Sequence, residues 1–253
     1  MRFTPQVRSL PWLVSRPIAH RGLHTAKQRV IENTESAFAA ALSLNYAIEC
    51  DVQITADGEA AVFHDEELNR LMAASGEVRA LPLKRLKALH FQQGSDRIQS
   101  LGELLEQVGG RVTLIVELKS HWDSDMGLMR KATDLLANYK GPAAIMSYDP
   151  EVLEAARLIA PNLVRGIVAD RVTDSYYSKL PLERRLDLRR FGHLPRTQPH
   201  FVSFRAMDLP FQAVGRIREA GHPVITWTIG SSTEAAHAYR YSDQITFEGF
   251  LPV

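Results

Sequence analysis

Short apolar runs alternate with amphipathic stretches along nearly the whole chain, and this alternation limits the possible folds more than any other feature. Apolar strands are predicted at Pro17–His20, Ala47–Val52, Val112–Leu118, Ala143–Ser147, Val164–Val168, Phe201–Phe204, Pro223–Thr228 and Gln244–Phe247. Helical periodicity is read over Thr34–Leu44, Leu101–Val108, Met126–Tyr139, Glu151–Ile159, Ala213–Ala220 and Thr233–Tyr239. Asn33 or Thr34, Asp149-Pro150 and Ser231-Ser232 supply start signals for three of these helices. Strands that alternate with helices build parallel βαβ units, and about eight strands is the number a TIM (β/α)8 barrel requires. The 253 residues match the roughly 250 of one such barrel, so a single α/β domain over residues 1–253 is expected.

One run, Ala60–His64, fits no parallel slot, because a parallel crossover needs about a dozen residues or more and only a short segment precedes it. Asp57-Gly58 is a hairpin turn signal. Pairing Thr55 with Ala60 across that turn sets Asp51 opposite His64, and directly opposed residues share a face. Residues 66–100 are short-patterned and charged, and they are expected to form a small insertion over the barrel mouth. Residues 171–199 are polar and basic and read as helix plus loop.

Two carboxylates interrupt the apolar strand Ala47–Val52. Alternate strand side chains share a face, so Glu49 and Asp51 point one way and Cys50 the other, toward the helices. A similar arrangement ends the next parallel strand at Glu117-Leu118-Lys119. Buried carboxylates are costly unless paired or ligated. Barrel active sites lie at the C-terminal strand ends, where the candidates are His20, Arg21, Glu49, Asp51, His64, Glu117, Lys119 and Trp227. Three carboxylates without clustered Cys or His suit a hard ion, Mg²⁺ or Ca²⁺. Arg21 and Lys119 suit a phosphate, and two histidines suit acid and base work near neutral pH. Metal, bases and cations together fit phosphodiester cleavage better than acyl or hydride transfer.

A formal net charge of +1 gives no global attraction for nucleic acid or anionic membrane, so any hold on phosphate is local. No run of about 18 apolar residues exists to span a membrane, and the N-terminus lacks the apolar core of a signal peptide. A single cysteine, Cys50, excludes an internal disulfide, and a cytoplasmic protein is the expectation.

Ile18-Ala19-His20-Arg21-Gly22, Glu32-Asn33-Thr34, Glu49 through Gly58, Val62-Phe63-His64-Asp65, Glu117-Leu118-Lys119, Ser147 through Pro150 and Trp227-Thr228 occur in an order that resembles the glycerophosphodiester phosphodiesterase family. The resemblance spans most of residues 17–248 and implies a TIM barrel with a small insertion after the His-Asp motif. It implies that Glu49, Asp51 and Glu117 ligate a divalent metal and that His20 and His64 are the acid/base pair. Arg21 and Lys119 would hold phosphate, Glu32 would orient Arg21 or support the metal shell, and Trp227 would pack on the alcohol or glycerol part. The implied reaction is hydrolysis of a small-molecule glycerophosphodiester to sn-glycerol 3-phosphate and an alcohol. The chain departs from the family pattern at Thr246-Phe247-Glu248, where many members carry Thr-Asp, and at Gly230, where the family has Asn. Two other readings stand beside this one: a phospholipase D-like lipid phosphodiesterase and a non-catalytic barrel that binds phosphorylated ligands. His24, His90, His121, His193, His200, His222 and His237 fall outside the matched motifs and read as surface or packing residues, and the basic 184–190 stretch reads as a solvated helix face.

Overall fold

A computed structural model describes residues 10–25, 29–173 and 175–252. Its strands are β1 (Ile18–Ala19), β2 (Ala47–Ile54), β3 (Ala60–Val62), β4 (Leu114–Leu118), β5 (Ala143–Ser147), β6 (Val164–Ala169), β7 (Phe201–Arg205), β8 (Val224–Ile229) and β9 (Gln244–Phe247). All except β3 are parallel neighbours in the order β1-β9-β8-β7-β6-β5-β4-β2, and β1 also pairs with β2, so the sheet closes on itself as a TIM barrel. Ile18 is the closing residue, in register with Ala47 on one side and Thr246 on the other.

Strand parity divides the core. One apolar cluster, including Ile18, Ala47, Ile115, Ala144, Val164, Phe201 and Ile225, takes the parity of Glu49 and Asp51 and fills the barrel. Phe201 lies so close to β6 that a Cβ on Gly166 would fall 2.2 Å from its ring. Gly166→Ala is therefore expected to cost about 1–3 kcal/mol by overpacking, read as a lower urea midpoint at unchanged m-value. The opposite parity, with Ile48, Cys50, Val52, Val116 and Ile145, packs against the helices, and Cys50 is fully buried there. The short helix Pro11–Val14 contributes Leu10 and Leu13 to the barrel interior, and its carbonyls at Trp12 and Val14 accept bonds from Thr113 and Gln244.

Three helices start at the signals read from the sequence, and a fourth at Ser100, which was not read as a cap. Thr34 caps Glu35–Ser43, Ser100 forms a capping box on Leu101–Val108, Asp149 caps Pro150–Ile159 and Ser231 caps Ser232–Ala238. Residues 66–100 fold over β3 around Phe63, Leu68, Met72, Val78, Leu86, Phe91 and Ile98, and include the helix Leu83–Ala88. Helices Leu182–Arg190 and Leu194–Thr197 occupy the polar 171–199 segment. Arg184 departs from the expected solvated face: it pairs with buried Asp149 at 2.9 Å and lies over the Trp122 ring. Among the described residues no helix is long and apolar enough to cross a membrane.

The β2–β3 hairpin is one residue out of the expected register. Val52 opposes Val62 and Ile54 opposes Ala60, which sets Asp51 opposite Phe63 rather than His64. The cause is local: Thr55 accepts the Glu59 N–H on its hydroxyl and donates its own N–H to the Glu59 carbonyl, so Thr55 faces Glu59 and the loop holds one residue fewer than a pairing of Thr55 with Ala60 would leave.

Candidate active site

Glu49 and Asp51 lie two residues apart on the inner face of β2, and the β2–β4 register sets Asp51 beside Glu117. Oxygens of the three carboxylates all lie within 4.8 Å of one another, and all three side chains are buried. Asp51 is well compensated. Its Oδ2 accepts from Asn33 Nδ2 at 2.9 Å and faces Arg21 Nε at 3.2 Å, while Lys119 Nζ meets Oδ1 at 2.7 Å. Against its burial, Lys119, His64 and Arg21 hold its pKa well below the usual carboxylate range. Glu49 is not compensated in the same way: its Oε2 accepts the Arg21 backbone N–H at 2.9 Å. Burial, then repulsion from Asp51 and Glu117, push the Glu49 carboxyl well above its usual value. The cluster thus holds more negative charge than Arg21 and Lys119 neutralise at Glu49, and its donors are all oxygen, so it fits a hard divalent cation.

The turn after β1 aims Arg21. Arg21 and Gly22 both have left-handed backbones, with φ of 54° and 78°. A Cβ on Gly22 would also fall 2.9 Å from the Ala37 backbone, which reserves the position for glycine. Arg21 Nη1 donates to Glu32 at 2.6 Å. Glu32 in turn accepts from Arg70 at 2.7 and 2.9 Å, and against burial Arg70 and Arg21 lower its pKa to about 2. Asn33, a possible helix cap on sequence grounds, leaves that role to Thr34 and instead holds Asp51 from both sides, donating to its carboxylate and accepting its N–H.

His20 and His64 have the same kind of support. His20 Nδ1 donates to Glu248 Oε2 at 2.7 Å, and His64 Nδ1 donates to Asp65 Oδ1 at 2.6 Å. An ionised carboxylate on Nδ1 fixes the proton there and leaves Nε2 as the basic nitrogen. The hydrogen bond from His20, with the His24 ring nearby at 3.5 Å, holds Glu248 ionised, and burial keeps the His20 imidazole below its usual pKa. Asp65 is anchored by Arg70 and stays charged. His64 reaches the site despite the register shift because it follows β3, where Gln53 Nε2 grips its carbonyl at 2.9 Å.

A cavity of about 440 Å³ opens here, with His64, Glu117, Lys119 and Trp227 on its walls. His20, Arg21, Glu32, Glu49 and Asp51 do not line it; they connect to it through the Asp51–Lys119 pair. Lys119 also donates to Glu117. Trp227 donates to the Ser203 carbonyl and meets the Tyr148 ring edge-on at 6.0 Å. Tyr148, which lay in a matched motif without an assigned role, also lines the cavity, as do Tyr176 and Arg205, which sequence reasoning did not single out. Arg205 ends β7, and a charge closing an apolar barrel strand was the one signal that could have found it. Arg70 was likewise missed, and Asp65 lay in a matched motif without being given the role of supporting His64.

The chain matches the model of the glycerophosphoryl diester phosphodiesterase family over residues 20–244. It is 26% identical to Bacillus subtilis YhdW over 230 residues, covering 87% of this chain and 88% of that one. It is 32% identical to a glycerophosphodiester phosphodiesterase of Caldanaerobacter subterraneus subsp. tengcongensis over 161 residues, 60% of this chain and 65% of the relative. Among solved structures, an Oleispira antarctica phosphodiesterase in complex with the product sn-glycerol-3-phosphate superposes with a TM-score of 0.75 at 22% identity, covering 94% of each chain. A Thermotoga maritima glycerophosphodiester phosphodiesterase superposes with a TM-score of 0.70 at 20% identity, over 91% of this chain and 92% of that one. With its ordered motifs matched nearly end to end, the chain belongs to the glycerophosphoryl diester phosphodiesterase family and is an enzyme of that class.

Proposed function

We propose that this enzyme hydrolyses water-soluble glycerophosphodiesters to sn-glycerol 3-phosphate and an alcohol, with His20 and His64 as the acid/base pair. The observation that carries this assignment is the pair of carboxylate-supported histidines, His20 on Glu248 and His64 on Asp65, both acting on the field at Asp51. Two bases with Nε2 available suit a reaction in which one proton must be taken and another given. One histidine takes the proton of a glycerol hydroxyl as its oxygen attacks phosphorus. The other protonates the departing alcohol, and the cyclic phosphate left behind is opened by water with the roles reversed. Lys119 and Arg21 bind the phosphoryl oxygens, and Trp227 packs on the organic part of the substrate. Glu32 positions Arg21, and its tie to Arg70 links that positioning to the insertion.

Glu49, Asp51 and Glu117 would hold Mg²⁺ or Ca²⁺, which would supply Lewis-acid stabilisation of phosphoryl charge. The product named for the Oleispira antarctica phosphodiesterase supports glycerol 3-phosphate as the product here. Residues 1–253 act on this reading as one cytoplasmic catalytic unit. From the 66–100 insertion, Glu66 joins the wall of the cavity.

The test is release of glycerol 3-phosphate from a panel of glycerophosphodiesters with Mg²⁺, Ca²⁺ or a chelator present. Chelator-sensitive release is expected. No release from folded protein with any metal overturns the assignment, and release only from lipid vesicles replaces it with lipid phosphodiester cleavage. An analogue lacking the attacking hydroxyl but cleaved at full rate refutes the cyclic route.

A further inference from the structure

His24 was read from the sequence as a surface or packing histidine, yet it joins a second cluster of donors. His20 Nδ1 lies 2.7 Å from Glu248 Oε2, and His24 Nε2 lies 3.5 Å from the same oxygen. One donor atom from each residue falls within 4.8 Å of the other two. His24 Nε2 is shut off from solvent and has no hydrogen-bond partner in the structure, while it faces a carboxylate. Donors bound tetrahedrally to Zn²⁺ at about 2.0–2.1 Å sit about 3.3 Å apart, so the separations here need only small side-chain adjustment. Two imidazoles and one carboxylate are a known zinc donor set, and they differ in kind from the all-oxygen cluster of Glu49, Asp51 and Glu117.

We propose that His20, His24 and Glu248 form a second metal site, selective for a borderline ion such as Zn²⁺ or Co²⁺, whose occupation inhibits the enzyme. Access is separate from the substrate cavity. His24 and Glu248 line a groove of about 690 Å³ beside Leu44, Phe250 and Leu251, and it shares no lining residue with the cavity that holds His64 and Lys119. The inhibition follows from the tautomer and rests on the function proposed for His20. With Glu248 alone on Nδ1, the proton sits on Nδ1 and Nε2 has the lone pair that a base needs. A metal on Nδ1 takes that nitrogen's lone pair, so the imidazole proton moves to Nε2 and the base is lost. Glu248 follows the end of β9, and from there its carboxylate reaches both histidines.

The test separates binding from activity. With the carboxylate cluster saturated by Ca²⁺, titration of the full chain with Co²⁺ is expected to develop the intense visible absorption of four-coordinate Co²⁺ up to one equivalent. His24→Ala and Glu248→Gln are each expected to abolish it, and His24→Gln repeats the measurement should the alanine variant fold poorly. Absence of the bands in the unsubstituted protein, or their persistence in both His24 variants, overturns the site. In the second arm, the Zn²⁺ concentration for half-inhibition is expected to rise about tenfold or more in His24→Ala. Equal inhibition in both proteins would put the inhibitory ion on the carboxylates and overturn the switch. Absence of turnover without Zn²⁺ would overturn the proposed activity but not the site, which the Co²⁺ bands read independently.

Discussion

His20→Ala is expected to lower glycerophosphodiester turnover by about 10²–10⁴, the range typical of a lost general acid or base, with little change in KM and an unchanged far-UV spectrum. The physical basis is the support behind the ring. His20 is held by Glu248 at 2.7 Å and kept neutral by burial, so an Nε2 lone pair is available at neutral pH. His64→Ala is expected to lose a similar factor, since Asp65 fixes its ring in the same tautomer. If the two histidines act in one step, the double variant loses far less than the product of the single losses. A loss below tenfold for either single variant would remove that histidine from the chemistry. Measurement of kcat and KM on a soluble diester distinguishes these outcomes.

Asp51→Ala is expected to be the most damaging single substitution for stability. The side chain is 1% exposed and answers Lys119, Arg21 and Asn33 together. Removing it leaves two buried cations facing a gap, and breaking a buried pair from one side typically costs about 3–5 kcal/mol. Turnover should fall along with stability, because the carboxylate cluster loses its central member and Lys119 its anchor. Asp51→Asn keeps the shape and removes the charge, so it should lose turnover with a smaller stability cost. Urea denaturation of both variants, read beside turnover, tests this. An alanine variant as stable as the unsubstituted protein would show that Lys119 and Arg21 find other partners.

Glu117 is shared between two demands, and that bears on both experiments. It offers an oxygen to the carboxylate cluster while accepting from Lys119. The ammonium therefore already occupies part of the field in which a divalent cation would sit, and metal binding must compete with it. This competition keeps the cluster from being a fully preformed cage and makes the Lys119 contacts sensitive to metal. On the proposed roles, the same sharing would link phosphate binding to metal binding through one lysine.

Much of this protein was legible in its sequence because the decisive signals are local. Period-two alternation set Glu49 and Asp51 on one face and Cys50 on the other, and the structure has them so. Short side chains before helical runs marked Asn33 or Thr34, Asp149-Pro150 and Ser231-Ser232 as starts, and the structure caps those helices with Thr34, Asp149 and Ser231. The ordered motifs pointed to the family across most of residues 17–248, and the family model matches residues 20–244. What the sequence could not give depends on residues brought together from far along the chain. Closure of β1 between β2 and β9 carries Glu248 to His20 across 228 residues, and no spacing rule reaches that far. Arg70 finds Glu32 because the insertion folds over β3, a packing outcome rather than a pattern. The hairpin register slipped by one because the Thr55 hydroxyl captures the Glu59 N–H, a side-chain choice made in three dimensions. Strand faces and helix starts were thus determined by the sequence itself, through local geometry. That Glu248 supports His20 was decided only when the barrel closed, because that pairing depends on the positions of separate strand ends.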